Sequence, residues 1–307
     1  MLLFGIEPMT LLANHKRERE AGTNRQAAWQ MMQVASAGDS VSGLIDDSAA
    51  ASWALWASGL HTRFQGAAID FPYRANVNAL LVGAERISPA GHTLGFAVGY
   101  DHVNADLTYQ SSFQDGDEKL AVLYGAYMLD QRTSIDAAVS GSGTSVTRRA
   151  QVIGGEADGG FSGHRTTESI NLNRVFDAGA VTLTAHTGFL ATQEVQPAFA
   201  ESGAGTTINV DREQLTVSQI NAAIEAACPL WSRGEVFGSA AYRYDLHRSD
   251  DDLIKRGANG DVSDYELLLG GRHRVTDSLT LSASASKILA RRGYRSDTVQ
   301  LTLRWEP

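Results

Sequence analysis

"TVQLTLRWEP", residues 298–307, is the stretch on which the reading of this chain turns. Val299, Leu301, Leu303 and Trp305 alternate with Thr298, Gln300, Thr302 and Arg304. Successive side chains of a strand point to opposite faces, so one face of this segment is wholly apolar and the other wholly polar. A soluble strand with its greasy face in a core has the same pattern. The segment alone leaves open whether that face meets protein or lipid.

The same period of two recurs through the chain. "SLTLSASAS" (278–286) sets Leu279, Leu281, Ala283 and Ala285 against Thr280, Ser282, Ser284 and Ser286. "AVTLTAHTGF" (180–189), "GEVFGSAAYRY" (234–244) and "HTLGFAVGY" (92–100) alternate likewise. These are strand signals, not helical ones. Twelve such runs are predicted, near 51–64, 74–87, 92–104, 117–129, 132–148, 164–177, 180–192, 207–226, 231–246, 263–275, 278–289 and 294–305. Most exceed the 5 or 6 residues usual in globular sheets and match the roughly 9 to 11 that cross a bilayer at a tilt.

The connections favour lipid. "SPAG" (88–91), "DQ" (130–131), "DAG" (177–179), "PLW" (229–231) and "TD" (276–277) are short. They alternate with long stretches such as 105–116, 149–163, 193–205 and 248–262. Short turns at one rim and long polar loops at the other are the pattern of an outer-membrane barrel, whereas a soluble sandwich uses Greek-key crossovers. Charge placement agrees. Asp136, Glu235, Arg243, Glu266, Arg272 and Arg304, with His186, fall on polar strand faces, and burying so many charges in a dry sandwich core would cost several kcal/mol each. They are expected to line a wet lumen. Composition allows this: 43% of residues are hydrophobic and the net charge is −9, and mean hydropathy is −0.19. The longest apolar runs, such as "NALLVGAE" (78–85), are too short for spanning helices. The acidic balance argues against a nucleic-acid partner. A single cysteine, Cys228, excludes an internal disulfide. No signal peptide is legible at the N-terminus, so a chain working outside the cytoplasm is expected to be part of a longer precursor.

Residues 1–50 read differently. "TNRQAAWQMMQVASAGD" (23–39) has a Thr/Asn start, helix formers and a stop at Gly38. Ala28, Met31, Met32 and Ala35 form a weak apolar stripe on a helix of about four turns, roughly 20 Å long. A twelve-stranded barrel has a backbone diameter of roughly 24 Å, which leaves a bore of about 12 Å, the width of one helix. The expectation is an all-β, 12-stranded antiparallel transmembrane β-barrel (51–307) with an N-terminal α-helix in its lumen (23–50).

Six quoted stretches carry a resemblance over about residues 51–307: "WALWASGLHTRF" (53–64), "LLVGAERI" (80–87) with its "SPAG" turn, "LGFAVGYDHVNADL" (94–107), "KLAVLYGAYMLDQRTSIDAAVSG" (119–141) and the closing "YRSDTVQLTLRW" (294–305). In order, spacing and strand count they resemble the C-terminal translocator domain of autotransporters, the type V secretion barrels of Gram-negative bacteria. The resemblance implies an integral outer-membrane protein that enables export of an N-terminal passenger to the cell surface and anchors it. It implies that 1–22 is a passenger remnant or linker and that 23–50 holds the pore helix, with Arg25, Trp29, Met32 and Ala35 as its site residues. It also implies that Val299, Leu301, Leu303 and Trp305 form an assembly signal read by the barrel-assembly machinery. The other expected partners are outer-membrane lipid and the protein's own passenger, with the barrel itself a monomer. Two departures are visible: Trp305 is followed by Glu306 and Pro307 where the family usually ends on the aromatic residue, and the helix lacks the asparagine pair at which some members cut themselves.

No catalytic, cofactor or metal residues are expected. "GDSVSG" (38–43) resembles an esterase serine block but has no preceding apolar strand and no partner block, and "SGTSV" (142–146) resembles a protease serine motif but lies within a strand. Asp101, His102, Asp245 and His247 form a candidate rim quartet of the kind outer-membrane proteases use. The alternatives to a translocator are therefore a barrel enzyme with a rim active site, or a passive porin.

Overall fold

Leu301 and Leu303 are exposed while Arg304 between them and Trp305 is buried, and this inversion of the usual soluble pattern holds all the way round the molecule. The computed structural model describes residues 52–68, 71–107, 112–152, 154–203, 205–249, 262–290 and 294–307. They form one antiparallel sheet of fourteen strand segments. These are β1 (Ser52–Ala68), β2 (Phe71–Ile87), β3 (Thr93–Leu107), β4 (Ser112–Met128), β5 (Thr133–Val152), β6 (Gly155–Ala178), β7 (Val181–Gln196), β8 (Phe199–Gly203), β9 (Thr206–Val210), β10 (Glu213–Trp231), β11 (Gly234–Arg248), β12 (Ser263–Arg274), β13 (Leu279–Leu289) and β14 (Tyr294–Trp305).

The sheet closes on itself. First and last strands pair from Leu55↔Trp305 to Gly66↔Tyr294, so β1 has β2 on one side and β14 on the other. Four of the fourteen segments are two interrupted staves. Gln196 pairs with Glu213, and three residues on Phe199 pairs with Val210 in the same register, so β7–β8 and β9–β10 are one long hairpin broken at Pro197. The result is a closed, 12-stranded, all-β barrel in which every stave neighbours its sequence neighbour.

Alternation then sorts the side chains. Outward on β14, β13 and β2 stand Val299, Leu301 and Leu303, Leu281 and Ala283, and Leu80 and Val82; Ser58, Thr62, Thr298 and Arg304 point inward and are buried. Trp53, Trp231 and Trp305 are exposed at the short-turn end of the apolar belt and Tyr100, Tyr242, Tyr244 and Tyr265 lie toward the other, where an aromatic ring can keep one wet edge. The belt needs lipid around it, and a closed ladder leaves no edge to aggregate.

The rims differ from the sequence expectation in two respects. The short turns are where the spacing predicts, except that β10 continues through Pro229 to Trp231 and turns at Ser232–Arg233. Stretches 149–163 and 193–205, expected as loops, are largely strand: β5 reaches Val152, β6 starts at Gly155, and β8 occupies 199–203. Above the bilayer both faces meet water or a polar lumen, so these residues pair their backbones without showing an apolar period. One side of the barrel is consequently tall, with β6 at 24 residues against 11 in β13.

Orientation yields a direct test. Leu301→Arg, at mid-belt, is expected to destabilise the barrel by about 2–4 kcal/mol in lipid vesicles, whereas Gln300→Arg on the opposite face changes much less. Urea unfolding followed by tryptophan fluorescence reads both; equal penalties would contradict the orientation.

Candidate functional site

The feature that closure creates is the inner wall, lined by one residue in two from every stave. Burying charge there is unfavourable unless each charge is met by a partner of excellent geometry, and the wall supplies such partners.

At the seam, Arg304 on β14 pairs through Nη2 with Glu85 Oε1 at 2.5 Å and through Nε with Glu306 Oε1 at 2.6 Å. Tyr124 donates its hydroxyl to Glu85 Oε2 at 2.8 Å, and Trp56 Nε1–H donates to the Tyr124 oxygen at 2.7 Å. Four strands are thereby tied together inside the barrel. Glycine makes room for the rings: a Cβ on Gly83 would lie 2.5 Å from the Trp56 indole, and one on Gly95 would collide with the Tyr124 phenol.

On the far wall Arg165 reaches over β5 to join two carboxylates. Its Nη1 lies 3.0 Å from Glu118 Oε2 and its Nη2 lies 3.1 Å from Glu194 Oε2. Small residues allow the reach: Ser142 of "SGSGTS" is the β5 partner directly opposite Arg165. Arg243 likewise serves Asp264 at 2.6 Å and Glu266 at 3.3 Å. Arg272 and Glu235 are direct cross-strand partners at 2.5 Å. Asp136 accepts hydrogen bonds from Asn171 and Asn173, and His186 stands half-buried opposite Asn173. Higher up, in the tall hairpins, Arg148 faces Glu201 at 3.6 Å while Phe161 and Phe199 pack with ring centroids 5.1 Å apart. The lumen also has a dry sector: Trp56, Leu60, Phe64, Val77, Leu81, Leu120 and Val122 of β1, β2 and β4 form a buried cluster made continuous by Ala97, Val103 and Ala105 of β3.

Placement of the sequence candidates is as follows. Asp136, His186, Glu235, Arg243, Glu266, Arg272 and Arg304 all lie on inward faces, and the structure joins Arg243 to Glu266 and Glu235 to Arg272. Val299, Leu301, Leu303 and Trp305 share the exposed outer face of β14. Arg25, Trp29, Met32 and Ala35 lie outside the described residues, as do both bounds of "GDSVSG". Sequence reasoning passed over Glu85, Glu118, Arg165 and Glu194. On β4 the inward face alternates Glu118 with Leu120, Val122 and Tyr124, so no polar stripe announces it. Only the parity of the strand reveals the charge.

The rim quartet is not assembled. Asp101 is buried on the inner wall, with no hydrogen-bond partner for its carboxylate among the described residues. His102 points outward to Asp117 Oδ1 at 3.0 Å. Asp245 accepts a hydrogen bond from Gln219. β3 and β11 are separated by five staves in either direction, so the two halves of the quartet stand on opposite walls roughly 24 Å apart.

The same architecture is found in solved barrels. A family model described as the autotransporter β-domain matches residues 55–286. The chain belongs to this family. Among solved structures, the translocator domain of autotransporter NalP from Neisseria meningitidis is similar over 91% of this chain and 95% of its own, with a TM-score of 0.77 at 14% identity. The β-domain of the Bordetella autotransporter BrkA is similar over 82% of this chain and 98% of its own, with a TM-score of 0.63 at 16% identity. The transport unit of AIDA-I from Escherichia coli is similar over 82% and 90%, with a TM-score of 0.54 at 14% identity. No curated protein sequence matches the chain. The autotransporter β-domain is an integral outer-membrane translocator, linked to a passenger that it serves and anchors at the cell surface.

The seam network predicts a strongly coupled pair. Arg304→Met is expected to destabilise the translocator by about 3–5 kcal/mol because it leaves Glu85 buried without its cation, and Glu85→Leu combined with Arg304→Met to recover most of that loss. Urea midpoints of the two singles and the double decide it; additive losses would show the pair to be energetically idle.

Proposed function

We propose that this translocator is a non-enzymatic, monomeric conduit whose lumen is occupied by the segment at 23–50, with residues 1–22 leading toward the passenger. The observation that carries this reading is the make-up of the inner wall. A bore of about 12 Å suits one α-helix and little else. Its dry sector on β1, β2 and β4 offers a surface for a stripe of Ala28, Met31, Met32 and Ala35, while the ion-paired remainder suits a polar helix face carrying Arg25. β1 begins at Ser52, which pairs with Ile87 beside the short β2–β3 turn, so the preceding chain starts at the mouth of the lumen on the periplasmic side. Trp29 is the bulkiest of the proposed pore-facing residues and the one whose removal should loosen the fit most.

The remaining elements follow from the outer surface. A closed ladder offers no free edge for strand-mediated dimers, and its lipid-facing belt is continuous, which supports a monomer. The exposed ladder of Val299, Leu301, Leu303 and Trp305 is the surface on which we place recognition by the barrel-assembly machinery. The separation of Asp101 and His102 from Asp245 and His247 removes the support for a rim protease.

Planar-bilayer recording tests the plug. Protein lacking residues 1–45 is expected to conduct several-fold more than the full chain at equal voltage and salt, and Trp29→Ala to raise the frequency of transient openings. Equal conductance of the two forms would sink the plug and favour a passive porin.

A further inference from the structure

Exposed arginines of the described barrel fall into two sets: some are neutralised within the protein, and others, such as the scattered Arg86, Arg174 and Arg212, make no ion pair among the described residues. At the short-turn rim Arg132 pairs with Asp177 at 2.6 Å and Arg233 with Asp277 at 3.2 Å; in the tall hairpin Arg149 pairs with Asp158 at 3.0 Å. Three adjacent staves at the opposite rim bring members of the second set together. Arg63 on β1, Arg74 on β2 and Arg295 on β14 are exposed on the outer face, and none makes an ion pair among the described residues.

Their arrangement follows from the register. Gln65 is flanked by Arg74 on one side and Arg295 on the other, and Arg63 sits two residues below it, between Asn76 and Asp297. Strand spacing places Arg74 and Arg295 about 10 Å apart across Gln65, with Arg63 diagonally about 7–8 Å from each. Two carboxylates lie nearby. Asp297 accepts from Lys287 Nζ at 2.9 Å, and Asp106 is the cross-strand neighbour of Arg74 without forming an ion pair to it. Counting Arg63, Arg74, Arg295 and Lys287 against Asp106 and Asp297, the patch is cationic on a chain whose net charge is −9.

Depth is the second observation. Val299, opposite His61, is the last aliphatic residue of the belt on β14. At a rise of about 2.5 Å per residue along the membrane normal, Arg63 lies about 5 Å above that level and Arg74 and Arg295 about 10 Å above it. That is the layer occupied by polar headgroups on the side away from the short turns, where β1 begins and β14 ends, which is the outward-facing leaflet. A guanidinium presents a planar fork of donors matched to phosphate oxygens, and arginines beside a membrane surface bind anionic headgroups.

We propose that Arg63, Arg74 and Arg295 form a docking surface for phosphate-bearing lipid headgroups of the outer leaflet, held against the β14–β1–β2 seam. The bound lipid neutralises the patch that the described residues leave without an ion pair, and its acyl chains lie along Val299, Leu301 and Leu80.

The test uses the full chain in a non-ionic detergent, with native mass spectrometry reporting retained lipid and heat-modifiable mobility reporting folding. The probes are dioleoyl phosphatidic acid, dioleoylglycerol with the same chains but no phosphate, and inorganic phosphate as competitor. Wild-type protein is expected to retain phosphatidic acid over the diacylglycerol. The triple variant Arg63→Gln, Arg74→Gln, Arg295→Gln is expected to lose that preference by at least tenfold, and the milder Arg74→Gln by about fivefold. Arg132→Gln with Arg233→Gln, at the other rim, should leave retention as it is. Unchanged retention in the triple variant, or in folded Arg74→Gln should the triple fail to fold, overturns the proposal. So does an equal loss in the other-rim control, which would mark diffuse charge attraction. Displacement of the lipid by equimolar inorganic phosphate would overturn it too, by showing a free-ion site rather than a lipid surface.

Discussion

Everything in this molecule depends on one ladder, the antiparallel pairing of β1 with β14 from Leu55↔Trp305 to Gly66↔Tyr294. Inside a bilayer there is no water to satisfy an unpaired N–H or C=O, and each such group costs several kcal/mol. An open sheet of these strands would carry two such edges through lipid. Closing it removes both at once, and the number of staves then fixes the radius. With twelve, the interior is too wide to be filled by the wall's own side chains and too narrow for an open aqueous channel of porin width. Bore, belt and rims are consequences of that closure.

The inner wall is built as a substitute for a core. A soluble barrel would fill its interior with branched aliphatic residues, whereas here the staves are cross-braced by charge. Arg304, Arg165, Arg243 and Arg272 each bridge at least two strands, and the first three meet two carboxylates apiece. Such braces are weak evidence of net stability, because desolvating the partners offsets much of their attraction. Their clearer effect is geometric: a guanidinium held to a carboxylate on another stave fixes the relative register of the two, and Arg165, between Glu118 on β4 and Glu194 on β7, does so in both directions. The glycines at 83 and 95 serve the same end by letting Trp56 and Tyr124 lie flat against the wall, within reach of Glu85.

Much of this was legible beforehand, for a physical reason. Along the lipid belt, alternation is enforced by two solvents of opposite character, so "SLTLSASAS" and "TVQLTLRW" state their orientation residue by residue. Once strand parity was read, inward placement of Asp136, His186, Glu235, Arg243, Glu266, Arg272 and Arg304 followed, and the spacing of the turns gave the stave count. Two things were hidden. Where both faces of a strand are wet, as at 155–163 and 199–203, there is no period to read, and paired backbone looks like loop. Where the inward face is itself apolar, as on β4, a charge such as Glu118 stands among leucine, valine and tyrosine and gives no polar stripe. Which carboxylate an arginine meets two staves away, as Arg165 meets Glu118 over β5, is set by barrel curvature and by the smallness of Ser142, neither of which a linear pattern expresses.

The last strand shows how these constraints meet in a few residues. Its outer face must satisfy lipid, and Val299, Leu301, Leu303 and Trp305 do so. Its inner face must satisfy Glu85, and Arg304 does so. Both edges must be hydrogen-bonded, to β1 and to β13, and both ladders are filled as far as Trp305. The two residues beyond that tryptophan do not disturb the edge. The Glu306 amide donates to the Ser278 carbonyl at 2.8 Å, prolonging the ladder by a rung, and its carboxylate caps Arg304 on the side that Glu85 leaves open. Directed inward onto an arginine that the seam already requires, it leaves the tryptophan free at the membrane boundary.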